Sequence, residues 1–371
     1  MKKTLLLFTL IAGFAQLLKA QTTPPTQGFI NVPAPSYSFA LISPIDAATT
    51  SMGYGGMALF NDETATFLNP AMLVHSTNRS GLFIGYSPWL RKLVGDMFIW
   101  QGGAYYRFNK NNALSGNFTY FRSGTFQPTN AVGQNLEEIN ANNWAGGLNY
   151  SRRLSDKLSM AVGMKYLSEH TMDVGANTNM ASSNTNLVLD ISMAHVDPDV
   201  FKKLSFNYGV SINNIGGKVK DVFTSQESFL PTNLKIGIAP TYRLDAKNKL
   251  SFTVDANKLL IPTLNSKHYK DSALQGIVAS FSDAPGGLSE ELREIVWSLG
   301  MQYSYNDFLF LRAGKFIEAQ DKGNRNFTTL GAGVLIKKLV NLDVAYSIDN
   351  NNSIIGNTLI LSAGFNFSRI K

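Results

Sequence analysis

From about residue 82 onward, apolar side chains fall at every second position. That spacing gives an extended strand two chemically different faces and leaves no apolar stripe for a helix. Leu158, Met160, Val162, Met164 and Tyr166 alternate with Ser159, Ala161, Gly163 and Lys165; Leu204, Phe206, Tyr208, Val210 and Ile212 alternate with Ser205, Asn207, Gly209, Ser211 and Asn213. A soluble sandwich shows the same alternation. Run length separates the two, because these runs last about 9 to 12 residues, enough to cross a bilayer at a tilt, against roughly 5 to 6 in globular strands. No window beyond residue 21 holds about 18 consecutive apolar residues, so no helical span is expected.

Counting such runs from 82–86 to 359–367 gives about 14, an even number as single-chain barrels require. Their connections sort by parity. Residues 109–112, 153–157, 245–248, 306–307 and 337–338 are tight and turn-rich, whereas 123–143, 169–185, 214–232 and 258–294 are long. Short turns at one end and long loops at the other are the outer-membrane pattern, with both chain ends on the periplasmic side. The expected fold is therefore all-β: a transmembrane antiparallel β-barrel of about 14 strands over residues 82–371. Of the 4 Trp, 14 Tyr and 24 Phe, many stand near run ends (Trp100, Tyr120, Trp144, Tyr166, Trp297, Tyr305, Phe365), as interfacial girdles do. Ordinary sheet packing favours aromatics too.

The first 20 residues read as a cleaved signal peptide: Lys2 and Lys3, an apolar middle, and Leu18-Lys19-Ala20 at the exit. With those lysines removed, the formal charge of +7 falls too low for a nucleic-acid footprint. Charged residues make up only 16% of the chain, below the roughly 25% of soluble domains. The absence of cysteine excludes disulfides, thiolate catalysis and thiolate metal sites. Residues 21–81 do not alternate, and they read as a compact plug inside the barrel. Gly53, Gly55 and Gly56 permit tight turns, and Asn69-Pro70-Ala71 breaks a short helix. The glycine run lacks the Gly-Lys-Ser/Thr ending of a phosphate loop, and Gly216-Gly217-Lys218 lacks the hydroxyl residue after its lysine.

Reactive constellations are missing from the sequence. His75, His170, His195 and His268 are scattered without ligand spacing and read as isolated surface residues. Glu290, Glu291 and Glu294 follow Ser289 and read as the first turn of a helix that Ser289 caps. A hydrolase needs a nucleophile or metal with a base. No catalytic, cofactor or metal residue is therefore assigned, and a binding or transport protein is expected.

The plug segment Asp62-x-x-Ala65-x-Phe67-x-Asn69-Pro70-Ala71 is similar to the hatch of FadL-type outer-membrane proteins. More specifically, the chain resembles the PorV family (PorV/PorQ group, with a FadL-like barrel) of the Bacteroidetes type IX secretion system. The segments that carry this are Tyr86-Ser87-Pro88-Trp89-Leu90, Leu154-Ser155-Asp156-Lys157-Leu158, Asn213-Asn214-Ile215-Gly216, Phe229-Leu230-Pro231-Thr232-Asn233-Leu234, Asn257-Lys258-Leu259-Leu260-Ile261-Pro262-Thr263 and Asp283-Ala284-Pro285-Gly286-Gly287-Leu288-Ser289-Glu290-Glu291-Leu292. Two departures stand out. Pro44-Ile45-Asp46-Ala47-Ala48 lacks the arginine associated with the family there, and the chain runs past Phe367 to Ser368-Arg369-Ile370-Lys371.

The resemblance implies an outer-membrane carrier that receives secreted proteins by their C-terminal signal domains. It would pass them to a sortase-like attachment complex and associate with a large translocon barrel, in contact with membrane lipid but not nucleic acid. Such a carrier holds a folded domain by apolar anchors within a polar rim. The candidate anchors in long loops are Phe126, Phe229, Leu230, Pro285 and Leu288. The alternative is that these residues pack the loops over the barrel mouth. A FadL-like channel for hydrophobic small molecules is the competing function, since fold does not fix function. A nonspecific porin is opposed by the plug.

Overall fold

The computed structural model describes residues 46–59, 64–89, 95–127, 129–130, 132–135, 138–172, 181–220, 227–263, 266–349 and 357–369. The leader expected over residues 1–20, and the plug segment before Asp46, lie outside them.

Among the described residues sixteen strands follow in chain order. The first six are β1 (Asn78–Pro88), β2 (Phe98–Arg107), β3 (Asn112–Phe126), β4 (Ile139–Arg153), β5 (Leu158–Met172) and β6 (Ala181–Phe201). Then come β7 (Leu204–Ile215), the short β8 (Lys218–Lys220) and β9 (Glu227–Phe229), β10 (Asn233–Arg243) and β11 (Asn248–Leu259). The last five are β12 (Val296–Tyr305), β13 (Leu309–Ile317), β14 (Asn326–Ile336), β15 (Val340–Asp349) and β16 (Leu359–Arg369). All but β8 and β9 join one closed antiparallel barrel of 14 strands, sealed where β1 pairs with β16; β8 and β9 form a separate hairpin.

The side-chain pattern is that of a membrane barrel. On β5 and β6, Val162, Met164, Tyr166, Leu187, Leu189 and Ile191 are exposed on the outside, while Ser159, Ala161, Val188, Ser192 and Ala194 are buried within. A soluble barrel would turn its larger apolar face inward, so the outward-facing set meets lipid. The outer aromatic row Tyr86, Trp100, Tyr120 and Trp144 runs in register across β1 to β4.

Strand lengths exceed the sequence expectation on one side: β3, β4 and β5 have 15 residues each and β6 has 21, against 9 in β13. Segments 123–143 and 169–185, read as loops, are therefore partly ladder. Six connections are short, and each lies at the end where the chain enters β1 and leaves β16. Five of these carry lysine: Lys110, Lys157, Lys202 and Lys203, Lys247, and Lys337 and Lys338. The sixth is the tight turn at Asn306 and Asp307, where both residues have left-handed φ (54° and 50°), as Asn and Asp tolerate.

The lumen is filled from residue 46 onward. Helix α1 (Ala47–Thr50), the single turn α2 (Ala65–Leu68) and a 3-10 helix over Pro70–His75 are almost wholly buried. α1 packs on β14, β15 and β16, and the 3-10 helix packs on β2 to β6.

Candidate functional site

The lumen wall is built to receive the plug. Gly300 and Gly314 pair across β12 and β13, and a β-carbon on either would run into the turn at Met52 and Gly53. Polar wall groups take up plug backbone groups that the short helices leave unpaired. Asp255 Oδ2 accepts the amides of Gly56 (2.9 Å) and Met57 (3.0 Å), and Thr329 Oγ1 accepts that of Gly53 (2.9 Å). Ser151 donates to the Pro70 carbonyl (2.8 Å), Ser159 to that of Ala71 (2.7 Å), and Asn117 to that of Thr66 (2.9 Å). Asn69, Pro70 and Ala71 are all buried, and Asn69 Nδ2 donates to Met193 O on β6 (3.2 Å). The small polar residues of the inward strand faces thus form the socket of the plug.

Three plug groups, Asp46, Tyr54 and His75, titrate away from their usual range, and burial raises the Tyr54 hydroxyl to about 12. Burial pushes the Asp46 carboxyl up to about 6, against the Thr49 amide that it caps (2.6 Å). Burial, with Arg153 and Arg107 beside it, pushes His75 down to about 4. His75 is therefore no isolated surface residue: it sits between Ser159 Oγ (3.1 Å) and Arg153 (3.3 Å). His195 stacks on Tyr208 in the barrel wall, and His268 pairs with Asp271 (2.6 Å). His170 lies in β5. Among the described residues no group of His, Asp or Glu has the arrangement of a metal site.

At the other end, two long loops fold together over the mouth. The β8–β9 hairpin ends in Phe229, which is only 3% exposed and packs with Ile261 and Tyr269. Its ring edge fills the space a side chain at Gly276 would need, and Lys218 Nζ lies 4.3 Å over its face. Leu230, 2% exposed, packs with Val219, Val188, Leu167 and Ala145 against the wall of β4 to β6. Phe229 and Leu230 are thus corrected as surface anchors: they pin one loop to the other and to the barrel. Phe126 is the final residue of β3, its backbone paired with Ile139, rather than a loop residue.

Pro285 and Leu288 are exposed on the longest connection, 260–295, which carries helices α3 (Ala273–Ala279) and α4 (Leu288–Arg293). Leu288 is 75% exposed and is joined by Leu292 one turn later; Leu274, Val278 and Phe281 stand exposed on and just after α3. Sequence reasoning missed these four because an apolar residue in a loop does not reveal whether it faces the loop's own packing or solvent.

Beneath α4 lies a buried ionic cluster. Lys258, near the end of β11, reaches Glu291 (2.8 Å) and Glu294 (2.6 Å); Lys322, from the β13–β14 loop, reaches Glu290 (2.7 Å) and Glu294 (3.0 Å). Burial pushes Glu290 up, but Lys322 and the Gly286 amide outweigh it and hold the carboxyl below its usual range. Glu291 also accepts the Ala284 amide (2.9 Å). Glu290 and Glu291 do stand in the first turn of α4, where burial and ion pairs make them structural clamps, but Glu294 is at the C-cap and the residue at the N-cap is Gly287 (φ 66°), not Ser289. Three elements distant in sequence meet here, so α4 is fixed on the rim with its leucines turned out.

A plugged 14-stranded barrel with apolar outer faces and a braced apolar loop can now be set beside known proteins. Residues 28–266, more than half of the chain, match the family model of the type IX secretion system protein PorV. The chain belongs to the PorV family. No curated protein matches it by sequence. Among solved structures it resembles the Pseudomonas putida toluene transporter TodX (TM-score 0.53, 11% identity, covering 92% of this chain and all of that one). It likewise resembles the monoaromatic hydrocarbon channel CymD (TM-score 0.53, 13% identity, 90% of this chain and all of that one). At such identities the likeness concerns the fold, which is a FadL-like outer-membrane barrel. The family match ends at residue 266, ahead of α3 and α4.

Proposed function

We propose that this PorV family member serves type IX secretion as a non-enzymatic carrier. It takes secreted proteins by their C-terminal signal domains at the loop end and passes them to a sortase-like attachment complex, in company with a large translocon barrel. The observation that carries this reading is the apolar face of loop 260–295, with Leu274, Val278, Phe281, Leu288 and Leu292 exposed above a buried ionic clamp. A loop with no partner gains nothing by exposing large apolar side chains on a braced support, whereas a docking surface needs both features. Membership of the family supports the secretion role.

A second reading has its own support. The solved proteins of the same fold are named as a toluene transporter and a monoaromatic hydrocarbon channel, and they favour a channel for hydrophobic small molecules more directly than any relative favours cargo hand-off. In that reading the exposed leucines gather a greasy solute, and the plug shifts to admit it.

Deleting the protein and measuring two outputs separates the readings. The carrier reading expects secreted proteins to lose surface attachment and processing while uptake of toluene is unchanged. Normal surface attachment with failed toluene uptake would overturn it in favour of the channel.

A further inference from the structure

The short-turn rim carries a pattern that neither reading uses. At or directly beside each of the six short connections a large apolar residue is exposed: Phe108, Leu154, Phe201 at the end of β6, Leu244, Phe308 and Leu339, between 44% and 70% exposed. Beside five of them stand the turn lysines described above. The acids of this rim are largely committed: Asp197 pairs with Lys157, Asp307 with Lys249, and Asp245 accepts the amides of its own turn. Asp156 and Asp199 are exposed. Of the turn lysines, Lys157 alone has a carboxylate partner among the described residues, whereas at the loop end Lys258, Lys322, Arg293 and Arg325 are each paired with one.

The turn at Lys337 and Lys338 adds an independent sign. Both residues have left-handed φ (50° and 60°), and the Leu339 amide closes the turn on Ile336 O (2.9 Å). A hairpin of this kind favours Asn-Gly, because lysine has no short polar group to support the left-handed conformation. Two lysines there keep charge at the expense of backbone comfort, and strain retained against an easy remedy points to use.

We infer that the short-turn rim is a binding surface for anionic phospholipid headgroups of the periplasmic leaflet. Two arguments select lipid over an acidic protein. The pairs of apolar and basic residues recur around the whole closed barrel, which fits a membrane plane better than a one-sided partner. Each pair also matches the interface itself, with the apolar group in the acyl boundary and the ammonium at headgroup phosphate. The inference rests on the orientation of the barrel and not on either reading of its cargo.

The test uses the full-length protein reconstituted in nanodiscs of equal phosphatidylglycerol and phosphatidylcholine, with retained lipids counted by native mass spectrometry after extraction. Wild type should retain phosphatidylglycerol over phosphatidylcholine by roughly threefold or more at low salt, and lose the preference at about 0.5 M salt. Inorganic phosphate at millimolar concentration should not compete, which separates a lipid surface from a simple anion site. The double variant K337N/K338G should lower the preference while its melting temperature in neutral detergent stays level or rises. K202Q/K203Q provides a second variant with undisturbed turn geometry and should lower it too. Equal retention of both lipids by wild type, competition by free phosphate, or wild-type preference in both variants would overturn the inference.

Discussion

Gly314 on β13 faces Gly53 of the plug so closely that a β-carbon on Gly314 would collide with the Gly53 amide nitrogen. Backbone meets backbone there, and no flexible side chain is available to yield. The plug is thus seated by the absence of side chains as much as by the hydrogen bonds around it. Gly314→Val should displace the 51–53 turn at a cost of about 1–3 kcal/mol. Limited proteolysis of the folded barrel should then cleave the plug segment faster, with the barrel itself still resistant.

Asp255 is the second hold on the plug, since it accepts two plug amides and stands 3.7 Å from Lys235, whose Nζ donates to Tyr54 O (3.3 Å). Asp255→Ala strands a buried lysine and two amides, at a cost of about 3–5 kcal/mol. Planar-bilayer recordings should show larger or more frequent ion-conducting openings than wild type.

The clamp under α4 centres on Glu294, which bridges Lys258 and Lys322. Glu294→Gln should release loop 260–295 from the rim, read as faster proteolysis within that loop, while the melting of the barrel changes little. Leu288→Ser should leave both unchanged, because its side chain is already in solvent.

Asp46 and His75 give the plug opposing responses to pH. The Asp46 carboxyl is raised from 3.8 to about 6 in the fold, so its contribution is present at low pH and is lost as pH rises through that window. The His75 imidazole is lowered from 6.5 to about 4, so the unfolded chain binds more protons between those values and this contribution is lost as pH falls through them. Asp46→Asn keeps the cap and removes the first effect. Its melting temperature should exceed that of wild type above pH 6, for a gain of up to about 3 kcal/mol, and match it near pH 4. His75→Gln should instead flatten the loss of stability below pH 6.5.

The barrel was legible because its signal is periodic: residues such as Val162 and Met164 against Ala161 and Gly163 specify two faces whatever surrounds them. The ends of β5 and β6 were not, since Ser182, Ser183 and Asn184 extend the ladder with polar residues that do not alternate. The turn at Lys202 and Lys203 was missed because lysines are not turn formers by type. In the candidate site, the sequence could not sort buried Phe229 and Leu230 from exposed Leu288. That sorting depends on Gly276 and the β8–β9 hairpin, partners far away in the chain. The ionic clamp was hidden for the same reason, as Lys258 and Lys322 lie more than 25 residues from the acids they meet on either side.

The apolar face of loop 260–295 is the surface proposed to receive secreted protein. A photo-crosslinking residue placed at Leu288 or Leu292 in living cells tests it directly, with Leu342 on the lipid-facing wall as the control. Crosslinks from Leu288 and Leu292 to the C-terminal domains of secreted proteins, and none from Leu342, are the predicted result. Crosslinks from neither loop position, in cells that secrete and anchor those proteins normally, would contradict it.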